Sequence, residues 1–518
     1  MAGPVPELED RAQACAELLC EAEKVLLASH IDADGLTSAA VASTALARAD
    51  IPHEVAFFDQ LDAGELDRVA ATDYETVLFT DFGSGQIGLI REHERAGAFT
   101  AVIADHHQPA TDGAATDESA DETDETEADE SEADGDNESE ADESPTLEID
   151  TEYHLNPLLF GIDGTSELSG AGAAYLLARA LAEETGNPDH GGDNRDLAAL
   201  AVVGAVGDMQ ASGGELVGAN RAIVEEGVET GVLEEGTDLA IYGKQTRPLP
   251  KLLEYAGDVP IPGVTGDENG ALRFLDGLDL DFRADEDTER TWRRWVDLTD
   301  EEKQTVASAL VRRAVSRGVP AEKVNSLVGT TYVLTSEKPG TELRDASEFS
   351  TLLNATARYE RADVGLAVCL GDRDGALDQA RKLLGNHRRN LSEGISLVEE
   401  EGVERAEHVQ WFHAGDRIRE TIVGIVAGMS LGSGGVSRDR PILAFADADD
   451  EEVKVSARTP PGLVRRGLDL SVVMSEAAAV VEGEGGGHDI AAGATIPAGN
   501  EETFLERADE IVGEQLGG

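Results

Sequence analysis

At 518 residues the chain is too long for a single core, so two or three domains are expected; with 41% hydrophobic but only 4% aromatic residues, Ala, Val and Leu must fill most of the interior. Asp and Glu number 105 against 41 Lys and Arg, a net charge of −64, and only 8 of the basic residues are Lys. Such a chain repels itself in dilute solution but is screened in multimolar salt, where the Debye length falls below ~3 Å, so the composition points to the salt-filled cytoplasm of an extreme halophile, by expectation an archaeon; an acidic protein that avoids nucleic acid fits the charge equally. The three cysteines form no CxxC pair, the first ten residues are acidic with no apolar leader, and no apolar run approaches ~18 residues. A zinc ribbon, a disulfide framework and a membrane location are therefore not expected, and the chain reads as soluble and cytoplasmic.

Residues 11–24 carry one apolar face at helical spacing. Val25-Leu26-Leu27-Ala28 then reads as a buried strand ending in Ser29-His30-Ile31-Asp32-Ala33-Asp34-Gly35, and the Ala-rich run from Thr37 to Arg48 as the helix that follows. Two more such units come next: Val77 to Thr80 leads into Asp81, and Ala101 to Ala104 into Asp105-His106-His107. Strands alternating with helices predict a parallel sheet whose polar groups gather at its carboxyl edge. Residues 112–143 hold 17 acidic residues, no basic ones and no large apolar ones, a composition expected to form a disordered surface insert. Ser169 to Glu183 reads as a helix, Leu197 to Val206 as an apolar run ending at Gly207-Asp208, and 301–317 as a helix. From about 329 a second α/β region is expected, with strands at Val333-Leu334, Val364 to Leu370, Ile442 to Ala446 and Val453 to Ala457, and a glycine cluster, Gly483 to Gly487, before His488.

Five Asp and three His thus stand at the ends of four apolar segments: His30, Asp32, Asp34, Asp81, Asp105, His106, His107 and Asp208. Hard divalent cations take carboxylate oxygens, and Mn²⁺ also accepts imidazole. Two such cations need a bridging carboxylate with separate ligands on either side. In extended backbone, alternate side chains share a face, so His30, Asp32 and Asp34 can address one pocket, with Gly35 allowing a tight turn into the helix. Taken singly, each piece also fits a surface His pair or a helix cap; four pieces in the same strand-to-helix context point to one metal centre.

The runs SHIDADG, FTDFGSGQ, ADHH and VGDMQ resemble, in order, the four motifs of the DHH phosphoesterase superfamily. The resemblance implies that His30 and Asp32 bind one metal, that Asp34, His106 and Asp208 bind the other, and that Asp81 bridges. It also implies that His107 contacts the scissile phosphate while Asp105 orients the histidines. VKVSARTP at 453–460 and GEGGGHDIAAGATIP at 483–497 resemble the DHH-associated nucleic-acid-binding domain, which implies substrate contacts from Ser456, Arg458, Gly486, Gly487 and His488. The stretch Leu343 to Asp372 is similar to archaeal RecJ-like proteins, including the GINS-associated nuclease.

The expected fold is therefore α/β: a parallel-sheet DHH domain over 1–230 (acidic insert 112–144), a largely helical connection over 231–328, and a C-terminal region 329–518. The last contains a smaller α/β DHH-associated domain near 408–512, with a cleft between the two domains. The function the resemblance implies is a hydrolase that uses two divalent cations, Mn²⁺ or alternatively Mg²⁺, to remove nucleotides from the end of single-stranded DNA, or RNA, in replication or repair. GINS and the replicative helicase are the candidate protein partners. The rival readings are an enzyme for short oligoribonucleotides or dinucleotides, and a GINS-binding replisome scaffold with little catalysis.

Overall fold

The computed structural model describes residues 3–110, 152–186, 192–211, 214–257, 259–286, 289–432, 435–449 and 451–517; the acidic insert expected at 112–144 lies outside them. The described residues fall into two compact units, one running through Ala380 and the other from Arg381.

The first unit opens with α1 (Glu9–Glu21), β1 (Val25–His30), α2 (Ala33–Arg48), β2 (His53–Phe58), α3 (Ala63–Ala70), β3 (Thr76–Thr80), α4 (Ile87–Ala96) and β4 (Thr100–Ala104). It continues with the two-residue β5 (His154–Leu155), α5 (Gly170–Thr185), α6 (Ala198–Gly207) and α7 (Gly218–Glu229). The five strands form one parallel sheet in the order β2-β1-β3-β4-β5. β1, β3 and β4 are almost wholly buried, which is why they read as unbroken apolar runs. The strand β2, HEVAFF, is half-buried and lies outside the runs that sequence marks as strands; it takes the edge beside β1.

Helix α2 is buried along most of its length and packs against both α5 and α6. Its alanines, among them Ala39, Ala40, Ala42 and Ala45, keep it thin enough to lie between neighbours. The helices α5 and α7 are tied by a polar knot. Glu226 accepts hydrogen bonds from the Tyr175 hydroxyl at 2.5 Å, from Arg195 Nε at 2.9 Å and from the buried Arg179.

Beyond α7, β6 (Leu233–Leu239) leads into α8 (Leu249–Glu254), α9 (Glu268–Asp276), the hairpin β7 (Arg283–Glu286) and β8 (Glu289–Trp292), α10 (Asp300–Ser316), α11 (Ala321–Asn325) and β9 (Val328–Leu334). β9 returns antiparallel to β6 and closes a separate core around Leu252, Phe274, Trp295 and Leu310. Two helices, α12 (Ala346–Ala357) and α13 (Ala362–Cys369), then pack back on α6 and α2. The strand expected at Val364 to Leu370 is this second helix. Its buried residues Val364, Gly365, Val368 and Cys369 recur at helical spacing, and a short apolar run does not reveal its period by composition alone.

The second unit takes over within α14 (Gly375–Glu401) and comprises β10 (Glu404–Arg405), β11 (Gln410–His413), α15 (Glu420–Ser430), β12 (Ile442–Asp447), β13 (Glu452–Arg458), α16 (Pro461–Val464), α17 (Leu470–Val480), β14 (Glu484–Gly487), β15 (Ala491–Pro497) and α18 (Glu501–Gly517). Its six strands run in the order β10-β11-β12-β13-β15-β14. One face packs on α17 and α18 through Phe445, Val455, Met474 and Phe504; the other packs on α15 through Ala444, Val423 and Val426. No described helix is long and apolar enough to cross a membrane.

Removing the carboxylate of the α5–α7 knot tests its weight. Glu226→Ala leaves Arg179 without its counter-charge and is expected to cost about 3 kcal/mol, read as a lower urea midpoint at constant slope.

Candidate metal centre

The chain after β1 turns straight into α2, and this corrects the extended arrangement expected for His30, Asp32 and Asp34. Asp32 is the N-cap of α2, accepting the Gly35 N–H at 2.6 Å, and Asp34 lies inside the first turn. Gly35 is needed for close approach rather than for a turn: a Cβ there would overlap the His30 carbonyl. Asp34, 1% exposed, accepts the backbone N–H groups of Gly170 (2.7 Å) and Ala171 (3.0 Å) at the start of α5, where the helix dipole favours negative charge.

Asp81 follows β3 with φ 62°, a left-handed conformation tolerated by Asp, and its backbone N–H donates to the Ala104 carbonyl. Its carboxylate is buried, yet among the described residues neither oxygen has a partner at hydrogen-bond geometry. His106 Nε2 stands 3.3 Å from one oxygen and His30 Nδ1 3.6 Å from the other. Asp208 comes from the C-terminal end of α6, not from a strand as its apolar run suggested. Its Oδ2 lies 3.7 Å from His106 Nε2, and Asp34 Oδ2 lies 3.8 Å from the same nitrogen.

Two groups of ligand atoms therefore meet at Asp81. His30, Asp32 and Asp81 have ligand atoms within 4.8 Å of one another, and so do Asp34, His106 and Asp208, with His106 also grouped with Asp81, Asp105 and His107. A buried carboxylate with both oxygens open, shared between an imidazole-containing set on each side, is the donor chemistry that a pair of hard cations requires.

The surrounding charges act in the same sense. Burial, then Asp81 and Asp208, push the Asp34 carboxyl well above its ordinary range. Burial raises Asp208 to about 6, with His106 opposing and Asp81 adding. Burial depresses His106, but Asp208, Asp81 and Asp34 outweigh it and hold the imidazole's pKa well up. A divalent ion offsets such clustered negative charge directly.

Hydrogen bonds fix the histidines. His106 Nδ1 is 2.6 Å from the Gly164 carbonyl, which leaves Nε2 facing the carboxylates. His107 Nδ1 is 2.8 Å from Asp105 Oδ1, and the fully buried Asp105 also accepts the N–H groups of His106 (2.7 Å), His107 (3.2 Å) and Ser84 (2.9 Å). Burial lowers the His107 pKa but Asp105 outweighs it, so the net shift is upward. The His107 side chain is 43% exposed, the more open of the pair.

Several residues with no role assigned from sequence hold this arrangement. Asn354 of α12 accepts the Ala33 N–H at 2.9 Å, fixing the turn between Asp32 and Asp34. Asn156 donates to the His107 carbonyl and to Ser84 Oγ, both at 2.8 Å. Gln210 donates to Asp208 Oδ2 (2.7 Å) and the Gly164 carbonyl (2.8 Å), and is held by Asn220. Gly164, Gly170 and Gly204 are each pressed against a site residue, His106, Asp81 and Asp34 respectively. Gln210 and Ser84 sit inside the motif runs; Asn354 lies far along the chain from the turn it anchors, and no local signal marks it.

The residues expected to contact substrate lie in the second unit. Ser456 and Arg458 share a face of β13 beneath Gly424 of α15, and both are buried. In the sheet register Ser456 pairs with Gly493, which pairs in turn with Gly486. Gly487 has φ 127°, and the following His488 is exposed rather than packed in the core.

Residues 241–328 match the DHH-CID domain and residues 408–514 the DHHA1 domain. These two matches cover the middle and the C-terminal part of the chain, and the fold of the chain is similar to that of RecJ. It is 27% identical over 491 residues to an uncharacterized protein of Methanocaldococcus jannaschii, covering 94% of this chain and 93% of that protein. Among solved structures it is similar to CDC45 from Entamoeba histolytica (TM-score 0.60, 12% identity, 97% of each chain). It is also similar to RecJ from Thermus thermophilus in complex with Mn²⁺ (TM-score 0.55, 17% identity, 99% of this chain but 56% of that one). A third is an exonuclease RecJ bound to manganese (TM-score 0.54, 17% identity, 99% of this chain and 96% of that one). In this RecJ-like fold the carboxyl ends of β1, β3 and β4 deliver all of the expected metal-site side chains except Asp208, which α6 delivers.

Two substitutions test the cradle. In Gly170→Ala the added methyl overlaps the Asp81 carboxylate, so Mn²⁺ binding by calorimetry is expected to weaken at least tenfold while the circular dichroism spectrum stays native. Asn354→Ala, which frees the Ala33 N–H without touching a ligand atom, is expected to weaken Mn²⁺ binding about tenfold.

Proposed function

We propose that the protein is a metal-dependent nuclease that removes nucleotides from the end of single-stranded DNA, with RNA as an alternative substrate. The observation that carries the reading is the Asp81 carboxylate, buried, without hydrogen bonds among the described residues, and flanked by His30 with Asp32 on one side and by Asp34, His106 and Asp208 on the other. His30, Asp32 and Asp81 would hold one cation; Asp81, Asp34, His106 and Asp208 would hold the second. When bound, such a pair lowers the pKa of a water and offsets charge on a phosphoryl group. Mn²⁺ is the proposed ion, supported by the mixed carboxylate and imidazole donors.

The chain's own residues do the rest. Asp105 holds the Nδ1 edge of His107, which leaves Nε2 of this half-exposed side chain free to meet a phosphate oxygen. The upward shift of its pKa favours the protonated ring, which donates a hydrogen bond to that oxygen. Asn156 keeps the His107 backbone in place. In the second unit, Ser456, Arg458, Gly486, Gly487 and the exposed His488 are the proposed strand contacts, the glycines because their backbone N–H groups can approach phosphates closely.

A second reading, a replisome scaffold binding GINS and the replicative helicase, is favoured by the likeness to CDC45. The complete ligand set argues for catalysis. In high KCl with Mn²⁺, an end-labelled oligonucleotide is expected to shorten progressively with wild type, and Asp81→Ala is expected to lose at least a hundredfold in rate. An inert wild type that still captures GINS would establish the scaffold instead. His488→Ala is expected to raise KM for the strand several-fold with kcat nearly unchanged; equal loss in kcat would place His488 in the chemistry.

A further inference from the structure

In a chain where acidic residues outnumber basic ones by 105 to 41, the helix α14 contains a stretch, 379–392, with four basic residues, one histidine and no acid. Arg381, Lys382, Arg388 and Arg389 are all exposed. At 100° per residue they fall within a ~120° arc, and Gly385 and Ser392, also exposed, fall inside it. The stripe rises ~12 Å along the helix from Arg381 to Arg389, and Asp378 and Glu393 bound it at its two ends. Arg389 donates to Asn386 Oδ1 one turn earlier, at 3.2 Å.

The helix that carries the stripe is anchored. Leu391, Ile395 and Val398 pack into the core shared by α15 and β12, and Gly394 lies against Ile418 and Val426. That core lies on the sheet face that also carries Ser456 and Arg458, whose register partners on β12 are Ala444 and Ile442. A fixed row of exposed basic groups, three of them guanidinium forks, fits a repeating anion.

We infer that the α14 stripe binds the phosphodiester backbone of a single nucleic-acid strand, as a contact additional to the metal centre. This rests on the nuclease reading above. The stripe holds the body of a long strand by charge and bidentate hydrogen bonds, without reading sequence. In the high salt that the composition implies, counterion release contributes little, so the arginine forks matter more than net charge.

The test uses the full chain and fluorescence anisotropy of a labelled polythymidine of about 30 nucleotides, in EDTA, from about 0.2 to about 1 M KCl, a range over which phosphate contacts register as a salt slope. Replacing all four basic residues (Arg381→Gln, Lys382→Gln, Arg388→Gln, Arg389→Gln) is expected to weaken binding at least tenfold at the lowest salt. The slope of log affinity against log salt should fall by about 2–3, from four contacts at ~0.7 each on a single strand. The double variant Arg388→Gln, Arg389→Gln should show about half that loss of slope. Wild-type affinity and slope in the four-residue variant would overturn the stripe while leaving the nuclease intact. A wild type that neither binds nor cleaves any strand would overturn both.

Discussion

Three carboxylates, the buried Asp34 and Asp81 and the partly exposed Asp208, surround one imidazole, that of His106, and the first unit is built to hold them together. Like charges at this range raise one another's pKa, and burial adds to the effect. The fold counters it locally: α5 aims two N–H groups at Asp34 and Gln210 donates to Asp208, while among the described residues both oxygens of Asp81 are left open. The site is thus unevenly satisfied, and its least satisfied group is the one shared by both ligand sets.

That arrangement dictates backbone as much as side chains. Gly35, Gly164, Gly170 and Gly204 come from four different segments, and each stands where a Cβ would strike the site. Small residues at these positions let α2, α5 and α6 close around Asp34 without leaving a void. The left-handed Asp81 is a further part of the same constraint, since its carboxylate turns back between His30 and His106 from a residue that has just left β3.

Much of this was legible in the sequence. The strands β1, β3 and β4 are almost wholly buried, so their apolar runs are unbroken, and each ends at polar residues that local chemistry singles out. The sheet edge β2, half-buried with charge and aromatics mixed, carries no such signature. The Val364 to Leu370 run failed as a strand because its neighbours, α2 and α12, decide its period, and they lie elsewhere in sequence. Asp208 stands out by its residue type, but its support does not, because the apolar run before it reads alike as a buried strand or a buried helix. The residues least visible beforehand, Asn354 and Asn156, act on backbone groups of other segments, and an asparagine announces nothing about which carbonyl or amide it will meet.

The clamp at Asn156 also bears on how this family of structures can change. It ties the chain leaving β5 to the His107 carbonyl, while the Ala110 N–H donates to the Ser84 carbonyl, so both margins of the segment 111–151 are pinned to the same serine loop. Where a domain itself holds both flanks of an insertion point, extra chain costs only the logarithmic closure entropy, about 0.6 kcal/mol per doubling. Extra chain that enters after Ala110 and leaves before β5 is therefore accepted with the metal-site edge undisturbed, and the histidine pair stands at the rim of an insertion port.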